Sequence, residues 1–529
     1  MSPARPWPFG STPHICVSLA EPTVAALREQ FDHLAGADLV EIRLDVLNAW
    51  HDIKPETLAD MVTNCPVPVG FTLRPMWQEG GFDGDESSRR HLLETAATTG
   101  AAFIDVELDA EWVTDLLDDA ECPVVISHHW NSTRPADLLE KVTRIGELAP
   151  SMAKLVAIAE VPSDALPLLN AGERLIASGQ PATCFCMGEA GKASRLLAAG
   201  QGAALVYAAA SAGKEVATGQ WSLRELVDEF QVNGWRQGTS LCGLIGHPIT
   251  HSLSPAIFNA VFQERGLNFA YVPVAGEDLD AVLDLVIGMG FRGLSVTMPF
   301  KDEIASRSVR QDDLVTAIGA ANTVVFEGDG FVAYNTDGGA LVAALAPVQP
   351  AETSRIAVIG AGGAARAGAS ALVAAGAAVT ILNRTKARAQ EAAELSGCSS
   401  GGLEQLEGGG FDIIVNATPV GMQGTPMAES MPFPPEWLNG REVVLDMVYR
   451  PPITPLLRQA AKRGCTIIEG LEMFIRQAAA QYRLLIDDPG VKPLDAMRNV
   501  AERLLVNDRV TGKDIVGGGT DDARPRRSP

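Results

Sequence analysis

A single lysine interrupts one strongly apolar run, and a histidine follows another. Lys154 is the one charged residue in Met152–Ile158, and His129 comes just after Pro123–Ser127. A buried ammonium group is costly unless it is paired or functional. If Lys154 points inward, desolvation favours its neutral form, which can condense with a ketone to give a Schiff base. His129 could then move a proton, so the pair predicts dehydration of a β-hydroxy ketone. A lysine that reaches solvent at a strand edge is the structural alternative.

Three arginines stand near the ends of other apolar runs. Arg43 and Arg74 each close a run, and Arg195 follows a third. In barrels of alternating strands and helices, the chemistry lies at the carboxyl ends of the strands. A guanidinium group can bind a carboxylate through two parallel hydrogen bonds. The three arginines therefore favour a small anionic, hydroxylated substrate, although any one of them alone could be a rim ion pair.

A glycine-rich turn follows a predicted strand in the second half of the chain. Arg355–Ile359 leads directly into a Gly360-x-Gly362-x-x-Ala365 run that opens a helical pattern. Such glycines let the backbone approach a pyrophosphate, and the helix N-terminus supplies N–H donors and a favourable dipole. This context is typical of a dinucleotide-binding fingerprint rather than of a tight turn alone.

The end of the next predicted strand indicates which dinucleotide is bound. It carries Asn383-Arg384-Thr385 at the position where an NAD-binding unit usually has an acidic residue for the ribose hydroxyls. Arg384 would instead pair with a 2′-phosphate, and Lys386 and Arg388 add positive charge nearby. We therefore expect NADP rather than NAD.

A lysine and an aspartate before the glycine-rich turn form a second candidate pair. Lys301 follows Ser295–Phe300 at a strand-to-helix turn, and Asp337 follows Tyr334–Thr336 at another strand end. If both face a cleft, one can hold a substrate hydroxyl while the other assists proton transfer as hydride moves between carbon and nicotinamide. A surface salt bridge is the structural alternative.

The elements that position these residues alternate between strand and helix. From His14 to about Ala209, short runs rich in Val and Ile alternate with helix-compatible segments, as in buried parallel sheets. Eight such runs predict a (β/α)8 barrel, with an open doubly wound sheet as the alternative. The runs are His14–Leu19, Asp38–Arg43, Val67–Leu73, Ala102–Glu107, Pro123–Ser127, Ala153–Ile158, Ala182–Met187 and Ala203–Ala208.

A polar segment, Gln231–Thr239, separates this half from a restart of the pattern at Leu241–Ile245. Strands and helices alternate to about Leu345, where the unit with the glycine-rich turn begins. We therefore predict an α/β chain with a (β/α)8 barrel followed by a two-lobed α/β dehydrogenase that contains a Rossmann NADP-binding domain. The polar, glycine-rich residues 507–529 are expected to be disordered.

Composition limits the class of function. The 529 residues carry a formal net charge of −23, and such an acidic surface repels nucleic acids and anionic membranes. The eight scattered cysteines contain no CxxC pair, so neither a zinc site nor a disulfide framework is expected. The first residues have no hydrophobic signal core, and no run reaches the roughly 18 apolar residues of a membrane span. We therefore expect a cytoplasmic protein without a metal.

The first half contains five motifs near the ends of its apolar runs, which are Glu41-Ile-Arg-Leu-Asp, Thr72-Leu-Arg-Pro, Ser127-x-His129, Lys154 in its apolar strand, and Cys186-Met-Gly with Ser194-Arg195. Together these motifs resemble the type I 3-dehydroquinate dehydratases, over essentially residues 12–230. The resemblance implies that Lys154 forms the Schiff base and that His129, rather than His128, is the general acid and base. The implied substrate contacts are Glu41, Arg43, Arg74, Arg195 and Gln220, with Ser18 as a lesser candidate.

Two positions depart from the pattern of that family. The family usually has a serine four residues before the final glutamine, whereas this chain has Val216 before Gln220. One hydrogen bond to substrate would then be missing. The Glu-Gly-Gly of the family begins here at Glu79, with one extra residue before it, which leaves open whether Glu79 orients His129. Reduced dehydratase activity would be compatible with both departures.

The second half contains eight characteristic runs, which are Gly246-His-Pro-Ile-Thr-His-Ser-Leu-Ser254-Pro, Ser295-Val-Thr-Met-Pro-Phe-Lys301, Gly319-Ala-Ala-Asn322-Thr, Tyr334-Asn-Thr-Asp337, Asn383-Arg-Thr385, Asn416-Ala-Thr, Asp446-Met-Val-Tyr449 and Gly470-Leu-Glu-Met-Phe-Ile-Arg-Gln477. With these runs the chain resembles shikimate dehydrogenase from about Leu241 to Leu505. The resemblance implies that Lys301 and Asp337 are the catalytic pair. The implied substrate ligands are Ser252, Ser254, Thr297, Asn322, Tyr449 and Gln477. The implied cofactor contacts are Gly360, Ala361, Gly362, Gly363, Ala364, Asn383, Arg384, Thr385, Arg388, Met447 and Gly470.

The order of the two halves resembles the bifunctional dehydroquinate dehydratase–shikimate dehydrogenases of plants and some bacteria. The resemblance implies two consecutive steps, from 3-dehydroquinate to 3-dehydroshikimate and then, with NADPH, to shikimate. The predicted domains are the barrel at 12–230, a substrate-binding domain at 240–345, the NADP-binding domain at 346–470, and helices returning to the substrate domain at 471–506. A quinate/shikimate dehydrogenase with a weakened dehydratase half and a non-catalytic quinate-sensing regulator are the alternatives. An oligomer is compatible with the sequence.

Overall fold

The computed structural model describes residues 5–10, 13–249, 252–488, 490 and 492–510, with side chains up to Leu505. The chain divides into two compact units. The first contains Met1–Arg310, Ala321–Ala333 and Leu484–Asp487, and the second contains the other residues. The last helix ends at Val510, so the predicted tail is helical at 507–510, while 511–529 lie outside the described residues.

The first unit contains a parallel barrel with helices between its strands. The strands are β1 His14–Leu19, β2 Leu39–Arg43, β3 Val69–Thr72, β4 Phe103–Glu107, β5 Val124–His129, β6 Met152–Ile158, β7 Ala182–Met187, β8 Leu205–Ala209 and a short β9 Trp221–Ser222. The helices are α1 Val24–Phe31, α2 Pro55–Asn64, α3 Glu86–Ala97, α4 Val113–Asp119, α5 Leu138–Leu148, α6 Leu166–Ala177 and α7 Lys192–Gly200. The sheet order is β7-β6-β5-β4-β3-β2-β1-β8-β9, and every neighbouring pair is parallel.

The gap between β7 and β8 is closed by hydrogen bonds at one end of the two strands. The Ala204 N–H donates to the Ala182 carbonyl at 3.0 Å. The Thr183 hydroxyl donates to the Leu205 carbonyl and accepts from the Leu205 N–H, each at 3.0 Å. The predicted (β/α)8 barrel is therefore confirmed, and the open sheet is wrong. Each of the eight predicted strands agrees with the observed strand to within two residues at either end.

One end of the barrel interior is filled with apolar side chains. Phe103, Tyr207 and Phe185 belong to this buried cluster, together with Cys16, Leu39, Val125, Met152, Val156 and Leu205. Gly70 on β3 faces the Phe103 ring, and a Cβ atom at Gly70 would lie 2.2 Å from ring carbons. Because interiors are close-packed, glycine is needed at this position to make room for the ring.

A six-stranded sheet follows the barrel, and most of it belongs to the first unit. Its strands are β10 Ser240–Gly246, β11 Phe269–Ala275, β12 Gly293–Val296, β13 Arg310–Gln311, β14 Thr323–Glu327 and β15 Gly330–Tyr334, in the order β11-β10-β12-β14-β15-β13. The helices along this stretch are α8 Ser254–Glu264, α9 Leu279–Gly288, α10 Lys301–Arg307, α11 Asp313–Ile318 and α12 Asp337–Leu345.

The second unit contains a doubly wound parallel sheet. Its strands are β16 Arg355–Ile359, β17 Ala378–Leu382, β18 Ser399–Gly401, β19 Ile413–Asn416, β20 Val443–Asp446 and β21 Thr466–Ile468, in the order β18-β17-β16-β19-β20-β21. The later helices are α13 Gly363–Ala374, α14 Lys386–Ser396, α15 Pro455–Lys462, α16 Gly470–Leu485 and α17 Leu494–Val510. This is the 3-2-1-4-5-6 order of Rossmann domains, so that prediction is confirmed. None of the helices described is both long and apolar enough to cross a membrane.

The contact between Gly70 and Phe103 generates a stability prediction. We expect Gly70→Ala to destabilise the barrel by about 1–3 kcal/mol, because the new methyl group must displace the ring. The matched control is Gly146→Ala, since Gly146 lies on an exposed part of α5 and a Cβ atom added there would have nothing within 4 Å. The control should be neutral or stabilising by about 0.5–1 kcal/mol. Urea unfolding of both variants makes the comparison, and equal stabilities would contradict the packing argument.

Candidate active sites

Lys154 lies inside the barrel, between two carboxylates. Its Nζ is 2.9 Å from Glu41 Oε1 on β2 and 3.1 Å from Asp105 Oδ2 on β4. The Lys154 side chain is only 6% exposed, so the lysine does not reach solvent at a strand edge. The ring of Tyr207 on β8 covers another side of Nζ, with its centroid 4.1 Å away. The lysine is therefore held in a closed, charge-compensated position.

The two carboxylates belong to a longer buried chain of charges that alternate in sign. Its members are Glu41, Lys154, Asp105, Arg74, Glu107 and Arg89. Arg74 joins the two halves of the chain, because its guanidinium lies 3.4 Å from Asp105 and 3.3 Å from Glu107. Glu107 also pairs with Arg89, which is completely buried. Three anions thus balance three cations, which offsets much of the cost of removing them from water.

His129 contacts this chain through Arg74. The Arg74 guanidinium donates to His129 Nδ1 at 2.7 Å. A guanidinium has only donors, so Nδ1 must accept and the ring proton is on Nε2. Burial and the positive charges of Arg74 and Lys154 hold the pKa of His129 well below its usual range. His129 is therefore neutral in this arrangement.

The neighbouring His128 makes different contacts. Its Nδ1 lies 2.9 Å from Asp109, which also pairs with Lys141 and Arg144. Successive residues of a strand point to opposite faces, so the two histidines cannot share one site. The structure brings His129, and not His128, into contact with the Lys154 network.

Two further predicted residues, Ser18 and Gln220, lie with Glu41 at the barrel mouth. Ser18 donates to Glu41 Oε2 at 3.4 Å, and the Gln220 amide donates to Ser18 at 3.5 Å. Gln220 Oε1 accepts from the Val216 N–H at 2.7 Å, a contact that does not depend on the side chain at 216. A cavity of about 200 Å³ beside them is lined by Ser18, Lys214 and Val216, among others.

The three predicted arginines have different surroundings. Arg74 belongs to the chain of charges, whereas Arg43 forms two hydrogen bonds to Asp45 at 2.7 and 2.8 Å. Arg195 is 3% exposed, stacks on the Phe185 ring at 4.2 Å and donates to a backbone carbonyl. Within the described residues no carboxylate pairs with Arg195, and burial lowers its pKa to about 9. A buried cation without an anion is suited to bind one.

Sequence analysis missed several residues of this site. Asp105 and Glu107 interrupt the apolar run of β4 in the same way that Lys154 interrupts its own run, so the same signal could have found them. Gln78 gave no such signal. Its Oε1 accepts from the His129 backbone N–H at 2.7 Å, while Glu79, whose role in orienting His129 was left open, is exposed.

The first unit also contains several residues that the resemblance to shikimate dehydrogenase singled out. Lys301 is the first residue of α10, and its carbonyl accepts from the Ala321 N–H at 2.9 Å. The buried Asn322 is anchored next to it, because its carbonyl accepts from the Val296 N–H at 2.7 Å. Thr297 follows β12 directly. In the same unit, the Ser254 N–H donates to the Ser252 hydroxyl at 3.2 Å.

The second unit contains other residues of that set. Asp337 is buried at the start of α12, and its N–H donates to the Asn335 side chain at 3.0 Å. The Thr336 hydroxyl donates to the Gln477 carbonyl at 3.2 Å, which places Gln477 beside this segment. Tyr449 packs against Phe474, with ring centroids 4.4 Å apart. The structure thus groups Asp337 and Gln477 in one unit.

The glycine-rich turn lies where the strand order of the second sheet reverses. Gly360 directly follows β16 and has a φ of 115°. A Cβ atom at this position would lie 3.1 Å from Thr418, which follows β19. Gly362 has open space around its Cβ position, and α13 begins at Gly363. A backbone turn that is open at a helix N-terminus and at the switch point fits a pyrophosphate.

The residues after β17 and β20 lie at the same edge of the parallel sheet as this turn. Arg384 and Arg388 are exposed, whereas Lys386 forms an ion pair with Glu404, so the lysine charge is already compensated. Gly470 approaches the backbone closely, since a Cβ there would lie 2.5 Å from the Val448 carbonyl oxygen. The two exposed arginines are thus placed to bind an anion.

These sites define a two-part α/β enzyme, with a buried lysine in a barrel and a dinucleotide turn in a doubly wound unit. Three protein-family models match the chain. They describe a type I 3-dehydroquinase at residues 15–234, a shikimate dehydrogenase substrate binding domain at 244–324, and a shikimate/quinate 5-dehydrogenase at 343–419.

Two of the curated relatives cover most of the chain, and a third covers half of it. The chloroplastic bifunctional 3-dehydroquinate dehydratase/shikimate dehydrogenase of Arabidopsis thaliana is 32% identical over 87% of this chain and 80% of its own length. The shikimate biosynthesis protein AroDE of Chlamydia pneumoniae is 28% identical over 93% of this chain and 99% of its own length. The shikimate dehydrogenase (NADP(+)) of Archaeoglobus fulgidus is 38% identical over 50% of this chain and 98% of its own length.

The chain belongs to the family of bifunctional 3-dehydroquinate dehydratase/shikimate dehydrogenases, and its role lies in the shikimate pathway. It combines a lyase of the type I dehydroquinase class with an oxidoreductase of the shikimate dehydrogenase class.

The contact between Gln78 and His129 predicts which residue orients the histidine. Gln78→Leu should lower the dehydratase kcat about tenfold or more, because it leaves the buried N–H of His129 without an acceptor. The matched control is Glu79→Gln, which changes the exposed neighbour and should leave kcat within about twofold. The kcat values of both variants are compared by steady-state kinetics of the dehydration. A larger loss in the Glu79 variant would return the orienting role to Glu79.

Proposed function

We propose that the barrel converts 3-dehydroquinate to 3-dehydroshikimate through a Schiff base on Lys154, and that the second half reduces this ketone to shikimate. The observation that carries the dehydratase proposal is the position of Lys154 Nζ between Glu41 and Asp105, in the same ion network as the neutral His129. An amine next to two carboxylates is suited to become an iminium, because the positive charge has compensating anions in place.

Two groups, Lys154 and His129, carry out the proposed dehydration. Lys154 Nζ bonds to the ketone carbon and the carbonyl oxygen leaves as water, which gives an iminium. His129 removes a proton from the adjacent carbon, so the electron pair of the C–H bond forms an enamine. The enamine expels the β-hydroxyl group, which takes a proton from His129 and leaves as water. Hydrolysis of the remaining iminium by a further water molecule releases the product and restores the amine of Lys154.

The remaining barrel residues are proposed to hold the substrate. Arg195 binds the substrate carboxylate, since it is a buried cation without a carboxylate partner among the described residues. Hydroxyl groups would be bound by the polar side chains at the mouth, which are Ser18, Glu41, Arg43, Arg74 and Gln220. Several of these groups already bind one another, so substrate would replace those contacts.

For the reductase, we propose that Lys301 and Asp337 act as the catalytic pair. One holds the substrate oxygen and the other assists the proton transfer that accompanies hydride addition. Both lie at the first turn of a helix, where the backbone fixes the position of the side chain. The proposed substrate ligands are the polar residues Ser252, Ser254, Thr297, Asn322, Tyr449 and Gln477.

We propose NADPH as the reductant, which supplies the hydride when bound. The turn at Gly360–Ala364 and the N-terminus of α13 would hold the pyrophosphate, with Met447 and Gly470 nearby. Asn383, Arg384, Thr385 and Arg388 would hold the 2′-phosphate side of the cofactor, because the two arginines are exposed cations. The names of several relatives specify NADP(+), which supports this choice.

Further proposals concern the domain boundaries, the cellular location and the partners of the protein. We retain the boundaries 12–230, 240–345, 346–470 and 471–506 as functional domains. A cytoplasmic location is supported by the eight cysteines, all of which are free thiols, as expected in a reducing compartment. The acidic net charge of −23 supports small molecules, rather than nucleic acids or membranes, as partners.

A pair of single variants tests whether the two reactions use separate sites. Lys154→Ala should reduce dehydration of 3-dehydroquinate at least about a thousandfold, because the nucleophile is lost, and leave reduction of 3-dehydroshikimate within about twofold. Asp337→Asn should instead reduce the reduction of 3-dehydroshikimate and leave the dehydration of 3-dehydroquinate within about twofold. Both are followed by absorbance, and the reduction is measured with NADPH and with NADH.

Loss of both activities in either variant, with the protein folded, would contradict separate sites. Equal or better use of NADH would favour the quinate/shikimate dehydrogenase alternative. No turnover of either substrate by the unmodified protein would favour the regulator.

A further inference from the structure

Four side chains surround the reacting nitrogen of the barrel, and one of them has no role in the mechanism above. They are Glu41 on β2, Asp105 on β4, Lys154 on β6 and Tyr207 on β8. Barrel interiors are filled in layers, each built of four side chains from alternate strands. These four residues come from the four even-numbered strands, as one such layer requires.

Tyr207 contributes the face of its ring to this layer. The ring centroid is 4.1 Å from Lys154 Nζ, and the side chain is 3% exposed. The Tyr207 hydroxyl has no hydrogen-bond partner among the described residues. The contact between its ring and Nζ is therefore the main polar interaction that this side chain makes.

The position of the ring matters because of the charge on Nζ. The negative face of an aromatic ring attracts a cation, and the attraction strengthens where water is excluded. The Lys154 ammonium gives up one proton before Nζ attacks the ketone, the nitrogen–carbon bond then forms, the oxygen leaves as water, and the same proton is taken up again, so the iminium carries the positive charge that the ammonium carried before. The charge disappears when the adjacent carbon loses its proton, so the ring stabilises some intermediates and not others.

We propose that Tyr207 is a further catalytic residue of the dehydratase, whose ring face stabilises the positive charge that Lys154 Nζ carries as an iminium. The carboxylates of Glu41 and Asp105 hold two sides of Nζ by hydrogen bonds, and the ring covers a third side that offers no hydrogen bond. This inference rests on the proposed Schiff-base role of Lys154.

The test is a series of fluorinated phenylalanines at position 207 of the full-length protein. Fluorine withdraws charge from the ring face with little change of shape, so the series weakens the cation attraction without opening a cavity. Tyr207→Phe is the reference with no fluorine, and mono-, di- and trifluorinated phenylalanines follow. Each protein is incubated with 3-dehydroshikimate and borohydride, without NADPH, and the reduced adduct is measured by intact mass.

We expect the adduct to form at Lys154 in the unmodified protein. The rate of its formation and the dehydratase kcat should both fall with each fluorine, by about tenfold or more over the series. Because the fluorinated variants keep the shape of the ring, their thermal unfolding should stay close to that of Tyr207→Phe. A graded loss at constant stability supports the proposal, since a purely space-filling role would not respond to ring charge.

Two results would overturn the proposal, and they are distinguishable. A flat series, with the adduct still at Lys154, would show that the ring only fills space, and it would leave the Schiff base in place. No adduct at Lys154 in the unmodified protein would remove both the proposed Schiff base and this inference.

Discussion

The barrel site depends on one constraint, which is that charges taken out of water must be balanced by their neighbours. The interior holds three carboxylates and three cations in an alternating chain, and its end members Glu41 and Arg89 are both almost inaccessible. An unpaired charge in such a place would cost several kcal/mol. Each partner therefore fixes the position of the next, and the chain sets the place of Lys154 Nζ and, through Arg74, the tautomer of His129. The proposed chemistry fits this arrangement, because an iminium at Nζ would keep the charge that the carboxylates already compensate.

In the second half, the proposed cofactor site consists mainly of backbone groups rather than of buried charged side chains. Gly360 takes a φ of 115° at the switch point, and the N–H groups of the helix that begins at Gly363 face the open side of the turn. Charged side chains are present after β17, at the exposed Arg384 and Arg388, and we propose that they select between cofactors. This division explains why the glycine run was recognisable from the sequence alone, since close approach of the backbone requires glycine at fixed spacing.

Much of the fold could be predicted, because buried parallel strands appear as continuous apolar runs. The bounds of β1, β7 and β16 were all obtained in this way. Lys154 was found because a charge interrupts such a run. The site was harder to predict where a contact depends on loop geometry. One extra residue after Arg74 puts Gln78, and not Glu79, against His129, and spacing alone could not show which side chain turns inward. Tyr207 was missed because an aromatic residue in an apolar run looks like any other core residue, and its contact with Nζ comes from a strand far away in sequence.

The central claim, that buried charges hold one another in place, is tested most directly by a double-mutant cycle on Glu107 and Arg89, which are both fully buried and contact each other. The free energy of unfolding is measured for Glu107→Gln, Arg89→Met and the double variant. Each single change should cost up to about 3–5 kcal/mol, because it removes one partner of a buried charge, although Arg89 keeps Glu86 and Glu107 keeps Arg74. The double variant should cost clearly less than the sum, with a coupling energy of about 1–3 kcal/mol. Simple additivity of the two single changes would contradict the account.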